Sequence, residues 1–522
     1  MRKASAIISA VLAVLSASLG AQTLEPRYRD GSNWLSYDRD NTSRRFSPLD
    51  EINRQTISDL KVEWVYQFPR LPPRSEATPL VKDGYMYVTV GGEEGHALDA
   101  RTGRPIWEFL YVPQDPDHRN NWNRGFALHG DRVFMATSDG RLVGLDSRTG
   151  QLLWSAVVSD VEQISNTTGA PFVVNDLVII GVRGGDLGSL RGYLDAYSAS
   201  TGELVWRIHT IPGPGELGHE TWPSDNDSWK RGGGSTWTTG AYDPDLNLLY
   251  WPIGNPGPDV FNGANREGDN LYSNSLLALR PETGEIVWHF QFTPHGTHDW
   301  DANETPVLAD IVVDGRERKV ILQANRNAFF YSLDRVTGEF LRATEFAKQD
   351  WATGFTPEGR PIVREGSDPT PQGTRVCPDI NGGANWHAPA YNPAAGLFYV
   401  MARDNCLIYF PHGGAAVPDD PPARHALRAL DPVTGERAWE IPMVSPGDIV
   451  HSGAMTTAGG LVFFASREGQ LIAADAKSGE VLWNFNLGGT VRSSPISYAI
   501  NGKQYVAIVS KAAVFAFSLP SM

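Results

Sequence analysis

The segment Ala97-Leu-Asp-Ala-Arg-Thr-Gly-Arg-Pro-Ile-Trp107 decides the fold, because the chain repeats it along most of its length. Copies that keep the closing tryptophan begin at Gly144, Ala196, Ala278, Ala429 and Ala473, and a copy without it begins at Ser332. Each copy has two segments of alternating apolar and polar residues, typical of half-buried strands, on either side of a Thr-Gly or Ser-Gly turn. Glycine accepts the positive φ that such turns need, so the repeat predicts a strand–turn–strand hairpin.

A hairpin of this kind cannot bury its own apolar face and must stack on neighbouring units. A tryptophan at a fixed offset supplies a large flat surface for that stacking. We therefore predict an all-β fold, an eight-bladed β-propeller with tryptophan-docking repeats, with seven blades as the alternative. Val62-Glu-Trp64 and the strands after Trp483 lack partners, so we expect N- and C-terminal strands to share one blade and close the ring.

The first 22 residues form a separate targeting segment. Arg2 and Lys3 precede an apolar run from Ala6 to Leu19, and small residues then offer a cleavage site, as in a secretory signal peptide. The alternative, a retained membrane anchor, is disfavoured because a bilayer crossing needs about 20 apolar residues. We expect a signal peptide over 1–22, a single propeller domain over 23–522, and a periplasmic location without stable membrane insertion.

Charge and cysteine content narrow the possible partners. The net charge of −15 argues against a nucleic-acid partner, which would need a basic face. The two cysteines, Cys377 and Cys406, either form one disulfide in an oxidising compartment or stay as buried thiols, and we favour the disulfide. No Cys-x-x-Cys-His motif occurs, so the sequence offers no site for covalently attached haem.

The repeats resemble the tryptophan-docking motifs of methanol and alcohol dehydrogenases that depend on pyrroloquinoline quinone (PQQ). Segments between the repeats extend the likeness over nearly the whole chain after residue 22: Asp38-Arg-Asp-Asn-Thr-Ser-Arg-Arg-Phe-Ser-Pro-Leu49, Gly232-Gly-Gly-Ser-Thr-Trp237, Gly268-Asp-Asn-Leu-Tyr272, Thr293-Pro-His295, Asn385-Trp386 and Asp475 with Lys503-Gln-Tyr505. The resemblance implies an oxidoreductase that acts on an alcohol or related hydroxyl compound with PQQ as cofactor. It also implies an external electron acceptor such as a cytochrome c.

PQQ is a flat tricarboxylate, so its site needs cations, hydrogen-bond donors and an aromatic floor. The resemblance assigns cofactor binding to Glu76, Arg124, Thr168, Gly184, Gly185, Ser235, Trp237, Arg326, Asn385 and Trp386. Trp237 is expected to stack beneath the rings, and Arg326 to lie over the reactive carbonyls and stabilise negative charge. The vicinal cysteine pair of many relatives would fall at His118-Arg119, so this chain lacks that feature.

The catalytic base is the main departure from the family pattern. Relatives typically place an Asp directly after Thr-Pro-His, and in this chain Gly296 occupies that position. The proton acceptor is then Asp299, His298 or Asp301, or the base is absent. We take Asp299 and Arg326 as the catalytic residues.

The resemblance also implies a calcium ion, a hard cation that takes oxygen ligands. Its predicted ligands are Asp186, Asn255 and Asp299, with Asp186 in the place of a glutamate. Relatives that use a lanthanide carry an extra Asp two positions beyond the base. Counted from Gly296, that position is His298, which favours Ca²⁺ over a lanthanide.

Two other functions remain open at this point. A catalytically degenerate propeller that serves as a binding or scaffold protein in the cell envelope is favoured by Gly296. A sugar or aldose dehydrogenase on the same fold would differ only in its substrate.

Overall fold

The computed structural model describes residues 30–70, 75–114, 122–159, 165–313, 315–444 and 452–520. The predicted signal peptide and the pair His118-Arg119 lie outside these residues. Within the described ranges the helical elements are short 3-10 turns, at Ile57–Asp59, Gly185–Leu187, His219–Thr221 and Ser228–Arg231. None of them has the length and apolar character to cross a bilayer.

Strands dominate the described residues and form eight sheets of at least four strands, numbered here 1 to 8 along the chain. Sheets 1 to 3 consist of Leu80–Lys82, Tyr85–Val90, Glu94–Asp99 and Pro105–Leu110; Ala127–His129, Arg132–Ala136, Arg141–Asp146 and Leu152–Val157; and Phe172–Val174, Leu177–Gly181, Tyr193–Ser198 and Leu204–His209. Sheets 4 to 6 consist of Ala241–Asp243, Leu248–Pro252, Ser275–Leu279 and Ile286–Gln291; Val307–Val313, Arg316–Ala324, Phe329–Asp334 and Phe340–Glu345; and Ala390–Asn392, Leu397–Asp404, Arg424–Leu430 and Arg437–Pro442.

The last two sheets combine segments from both ends of the chain. Sheet 7 consists of Met455–Thr457, Leu461–Ala465, Gln470–Asp475 and Val481–Asn486, with Phe46–Ser47 as a fifth strand; sheet 8 consists of Ile496–Ile500, Lys503–Val509, Ala513–Ser518 and Lys61–Gln67. Lys61–Gln67 pairs antiparallel with Ala513–Ser518, so an early strand completes the last sheet, as the unpartnered sequence segments predict.

Two smaller sheets lie in insertions around sheet 6. One pairs Ala352–Phe355 with Pro361–Val363, and the other joins Thr374–Val376, Leu407–Phe410 and Gly413–Ala416. A disulfide between Cys377 and Cys406, with an S–S distance of 1.97 Å, ties the second of these sheets together. The predicted disulfide is therefore confirmed.

The repeated tryptophans dock each sheet on the next one. Trp107 Nε1 donates a hydrogen bond to the carbonyl of Ser147 at 2.9 Å, and its indole covers Gly150, where a Cβ would lie 2.7 Å from the ring. The turn glycine is needed because only a residue without a side chain admits this approach. The same packing recurs in the pairs Trp64–Gly103, Trp154–Gly202, Trp206–Gly284, Trp288–Gly338 and Trp439–Gly479.

Other contacts join the remaining neighbours. Between sheets 5 and 6, where the repeat lacks its tryptophan, Thr344 Oγ1 donates to the carbonyl of Thr434 at 3.0 Å. Between sheets 7 and 8, Trp483 and Phe517 meet edge to face with centroids 5.5 Å apart. The described sheets thus follow one another as the blades of a propeller do, and the predicted all-β propeller fold is confirmed.

The segment Asp38–Leu49 runs past the first strands of four successive sheets. Its backbone carbonyls accept hydrogen bonds from the innermost strands of sheets 4 to 7, in the pairs Asn41–Tyr242, Thr42–Leu308, Arg44–Tyr391 and Arg45–Thr456. Arg45 is fully buried and donates to the carbonyls of Ala454 and Pro495. This segment therefore holds the loops that enter the innermost strands, and those loops carry the site.

Candidate functional site

Loops that lead into the inner strands surround a pocket of about 280 Å³. The pocket is lined by Glu76, Trp122, Arg124, Thr168, Arg183, Gly184, Asp186, Ser235, Trp237, Asp301, Arg326, Asn381, Asn385 and Trp386. Nine of the ten predicted cofactor-binding residues are in this lining. The tenth, Gly185, lies beside it, with its Cβ position 3.3 Å from Ser235 Oγ. A larger cavity of about 520 Å³ near Cys406 contains none of them.

Arg124 connects residues from several sheets at one side of the pocket. Its Nη2 lies 3.3 Å from Glu76 Oε2, and its Nη1 donates to Thr168 Oγ1 at 2.9 Å. Its guanidinium carbon lies 4.8 Å from the ring centre of Trp237 and 4.2 Å from that of Trp386. The pocket therefore presents a cation next to two aromatic faces, which suits a flat anion.

Three carboxylates meet next to this pocket. Oxygens of Asp186, Asp299 and Asp301 all lie within 4.8 Å of one another, a spacing that ligands of one cation can adopt. Asn255, the other predicted ligand, belongs to the same cluster because its backbone N–H donates to Asp301 Oδ1 at 2.7 Å. Asn255 Oδ1 and Asp299 Oδ1 are buried and accept no hydrogen bond from the described residues. Unsatisfied oxygens beside three carboxylates fit a hard metal ion.

Burial and neighbouring charges raise the pKa values of two carboxyl groups in the cluster, those of Asp299 and Asp186. Burial, and then the charge of Asp186, raises the pKa of Asp299 well above the usual aspartate range. Burial and the charge of Asp301 raise the pKa of Asp186 to about 6, although Asp186 is open to the pocket. Asp299 also has φ of 60°, a left-handed backbone that is uncommon for a residue other than glycine. Such conformations concentrate at functional sites.

Arg326 and Trp237 connect the cluster to the pocket through Asp301. Arg326 Nη1 lies 2.7 Å from Asp301 Oδ2, and Trp237 Nε1 donates to the same oxygen at 3.2 Å. Burial lowers the pKa of Arg326, but the negative charges of Asp301 and Asp299 outweigh burial and raise it. Both oxygens of Asp301 therefore accept hydrogen bonds, whereas Asp299 keeps Oδ1 without one.

The space beside Gly296, where the family pattern predicts the base, is taken by another residue. A Cβ at this position would point to Asn274 Nδ2, 2.3 Å away, and the Gly296 carbonyl accepts a hydrogen bond from Arg266 at 2.7 Å. His298 is also turned away. It stacks on Trp300 with ring centres 4.3 Å apart, and burial lowers its pKa to about 4.

Sequence reasoning missed four residues of the site. Asp301 was considered only as an alternative base, although the spacing Asp-x-Asp from Asp299 is a visible sign of a shared ligand face. Trp122, Arg183 and Asn381 were not predicted to line the pocket. Trp122 stands two residues before Arg124, and Arg183 directly precedes Gly184, so adjacency to predicted residues was the available signal. The Arg183 guanidinium lies 4.4 Å from the Trp122 ring centre.

Comparison with known proteins agrees with the fold and the site. The family model described as the beta-propeller domain of glucose/ethanol/alcohol dehydrogenase matches residues 34–348, and that of outer membrane protein assembly factor BamB matches 423–518. Quinohemoprotein alcohol dehydrogenase ADH IIB of Pseudomonas putida is 37% identical, over 96% of this chain and 76% of that protein. Quinoprotein alcohol dehydrogenase PedH of Pseudomonas putida is 38% identical, over 90% of this chain and 84% of that protein.

Solved structures give the same result. The quinohemoprotein alcohol dehydrogenase ADHIIG from Pseudomonas putida HK5 superimposes with a TM-score of 0.87 at 34% identity, over 96% of this chain and 83% of that chain. A europium-containing methanol dehydrogenase gives 0.85 at 30% identity, over 94% and 99%. BamB from Moraxella catarrhalis, at 0.51 and 14% identity over 88% and 99%, shares the fold alone.

A propeller with a pocket for a flat anion beside a carboxylate cluster is the architecture of the quinoprotein class. The chain belongs to the family of PQQ-dependent alcohol dehydrogenases. The predicted family is thereby confirmed.

Proposed function

We propose that this protein oxidises an alcohol to the aldehyde or ketone, with PQQ in the 280 Å³ pocket and a metal ion in the carboxylate cluster. One observation carries the proposal: the carboxylates of Asp186, Asp299 and Asp301 meet beside the pocket. The lining of that pocket contains Arg124, Trp237 and Trp386. An aromatic anion site and a cation site in direct contact are what a quinone cofactor polarised by a metal requires.

Different lining residues would bind different parts of the cofactor. Arg124 and Thr168 would bind carboxylate groups, and Trp237 would support the rings from one side. Arg183 adds a third cation, and the described residues place no carboxylate within ion-pair distance of it. Bound PQQ supplies a two-electron acceptor.

Asp299 is the residue we assign as the general base. Its Oδ1 accepts no hydrogen bond from the described residues, so this oxygen is placed to accept a proton from a substrate hydroxyl. Arg326 Nη2 lies 3.8 Å from Asp299 Oδ2 and provides positive charge where negative charge develops. Asp301 holds Arg326 in place through their 2.7 Å contact.

The number and charge of the oxygen ligands in the cluster bear on which metal ion it binds. Asp186, Asn255, Asp299 and Asp301 together offer oxygen ligands, which suit either Ca²⁺ or a lanthanide. Relatives that use a lanthanide carry an extra Asp two positions beyond the base. If the base position is Gly296, that extra position is His298, but if the base is Asp299, it is Asp301. Three carboxylates balance a trivalent ion better than a divalent one. We therefore propose a lanthanide as the preferred ion, with Ca²⁺ as the alternative.

The cellular setting follows from the proposed signal peptide and the family. We place the protein in the periplasm, where reduced cofactor would pass electrons to a cytochrome c or another external acceptor. Cell fractionation of the native host tests the location: activity in the periplasmic fraction supports it, and activity confined to the cytoplasm contradicts it.

Reconstitution tests the proposed activity. Purified protein freed of metal by a chelator is incubated with PQQ and either Ca²⁺ or La³⁺, and dye reduction is then measured with primary alcohols, secondary alcohols and aldoses. We expect turnover with alcohols that requires both PQQ and a metal. Turnover with aldoses alone would favour the sugar dehydrogenase, and PQQ uptake without turnover on any substrate would favour the degenerate scaffold.

A further inference from the structure

A second group of metal-ligating side chains lies on sheet 1, apart from the pocket. Glu94 and His96 are two residues apart on one strand and therefore point to the same face of the sheet. Glu108 sits directly opposite His96 on the neighbouring strand. One ligand atom from each of the three residues lies within 4.8 Å of the other two.

His96 is the member of this group that points to a ligand. Its exposed fraction is 1%, and its Nε2 makes no well-aligned hydrogen bond among the described residues, with Glu94 Oε2 as its polar neighbour at 3.5 Å. Its Nδ1 lies 3.4 Å from the hydroxyl of Tyr66. Ligation of a metal by Nε2 requires the tautomer with the proton on Nδ1, which then faces Tyr66, whereas without a metal Nε2–H can face Glu94 Oε2 at 3.5 Å. Metal-ligating histidines commonly donate their second ring N–H in this way.

We propose that Glu94, His96 and Glu108 form a binding site for a zinc-type transition-metal dication. One imidazole nitrogen and two carboxylates are suitable ligands for Zn²⁺, and water completes four-coordination in many such sites. Burial lowers the pKa of His96, so the imidazole is neutral and available as a ligand at neutral pH. None of these residues lines the PQQ pocket, so the site is independent of the proposed dehydrogenase function.

Arg70 neutralises the two glutamates when no metal is bound. Its Nε lies 2.7 Å from Glu94 Oε1, and its Nη2 contacts Glu108. Arg70 is 48% exposed and can therefore exchange these contacts for water at small cost. A dication that also gains the buried Nε2 of His96 has an additional ligand that Arg70 cannot use. The Arg70 guanidinium and a metal dication would therefore compete for the same two glutamates.

The position of the site predicts what a bound metal does. Tyr66 lies in the strand that completes sheet 8, and Phe68 follows that strand. Their ring centres lie 5.9 and 5.6 Å from that of His96. A metal that fixes His96 also fixes the surface on which this early segment packs. Zn²⁺ should therefore stabilise the junction of sheets 8 and 1, where the two ends of the chain meet.

The test measures zinc binding and thermal stability in the full-length protein. The carboxylate cluster is first saturated with La³⁺, and Zn²⁺ is then titrated by calorimetry into the parent, His96→Gln and His129→Gln. His129 is the matched control, since it pairs with Asp176 at 2.9 Å on the surface without a third ligand. We expect His96→Gln to lose one zinc equivalent and the Zn²⁺-dependent rise in Tm, and His129→Gln to keep both.

Arg70→Ala provides a second variant that does not alter a buried ligand. Removing the competing cation should tighten zinc binding at this site. Equal zinc stoichiometry in the parent and His96→Gln would overturn the proposal. If His96→Gln does not fold, zinc affinity that is unchanged in Arg70→Ala would overturn it instead.

Discussion

Arg326 and Asp301 form a buried ion pair, with Arg326 Nη1 2.7 Å from Asp301 Oδ2, where the aromatic pocket meets the carboxylate cluster. The side chains are 8% and 4% exposed, so their attraction is weakly screened by water. Trp237 Nε1 donates to the same Asp301 oxygen. The pair thus joins a residue of the proposed PQQ pocket to a residue of the carboxylate cluster, and we expect bound PQQ and a bound metal ion to influence each other's affinity.

Replacing Gly296 by aspartate should not improve activity. The new Cβ would lie 2.3 Å from Asn274 Nδ2, so the buried Asn274 side chain would have to move to admit it. We expect lower thermal stability and turnover no higher than that of the parent, measured by thermal unfolding and dye reduction. A gain in kcat in Gly296→Asp would show that position 296 does belong to the reactive centre.

Asp301→Asn should change the metal preference of the carboxylate cluster. The substitution keeps the side-chain shape but removes one of three negative charges from the cluster. We expect La³⁺ affinity to fall by about 10- to 100-fold, and Ca²⁺ affinity to fall less, in metal titrations of the PQQ-loaded protein. Asp310→Asn, outside the cluster, serves as the control. Equal losses for the two ions would contradict the lanthanide proposal.

Arg183→Gln tests the cation that sequence reasoning missed. Loss of a charge-assisted contact to a PQQ carboxylate should weaken PQQ binding by about 10- to 100-fold, measured by quenching of tryptophan fluorescence. Arg191→Gln is a matched control, because Arg191 also stacks on a tryptophan, Trp229, at 5.0 Å but does not line the pocket. Unchanged PQQ affinity in Arg183→Gln, or equal loss in both variants, would argue against this role.

The fold was predictable because each repeated hairpin carries both the tryptophan that packs on the next sheet and the turn on which the preceding tryptophan packs. The offset between Trp107 and its Thr-Gly turn is repeated, and six of the tryptophans pack on a turn glycine of the next sheet, as Trp107 does on Gly150. The pocket residues were assigned from the resemblance to the PQQ-dependent family, and in the structure most of them precede the first strands of successive sheets. These parts of the structure depend on local sequence and on packing that is repeated.

The carboxylate cluster was less predictable because it depends on the path of one irregular loop. Counting from Thr-Pro-His assumed a loop of fixed length and put the base at Gly296. The Gly296 carbonyl accepts a hydrogen bond from Arg266, and the carboxylates that lie in the cluster come from Asp299 and Asp301 further along the loop. Such contacts join residues far apart in sequence, and the repeat pattern contains no information about them.

Arg335→Met should cost much of the stability of the propeller. Arg335 and Asp243 lie 2.6 Å apart with neither side chain exposed, and they join sheets 4 and 5. Leaving the Asp243 carboxylate buried without its partner should lower the free energy of unfolding by about 3–5 kcal/mol in urea. Arg318→Met is the control, because Arg318 is 33% exposed and its loss should cost under about 1 kcal/mol. Similar costs for both variants would contradict this account.

The most direct test of the proposed function compares the parent with Asp299→Asn after both are loaded with PQQ and a metal ion. PQQ binding is measured by fluorescence, and alcohol oxidation by dye reduction. We predict that Asp299→Asn still binds PQQ, folds with a similar Tm and loses at least about 100-fold in kcat, because the proton acceptor is gone. Turnover by Asp299→Asn at the parent's rate would contradict the assignment of Asp299 as the base in this cluster.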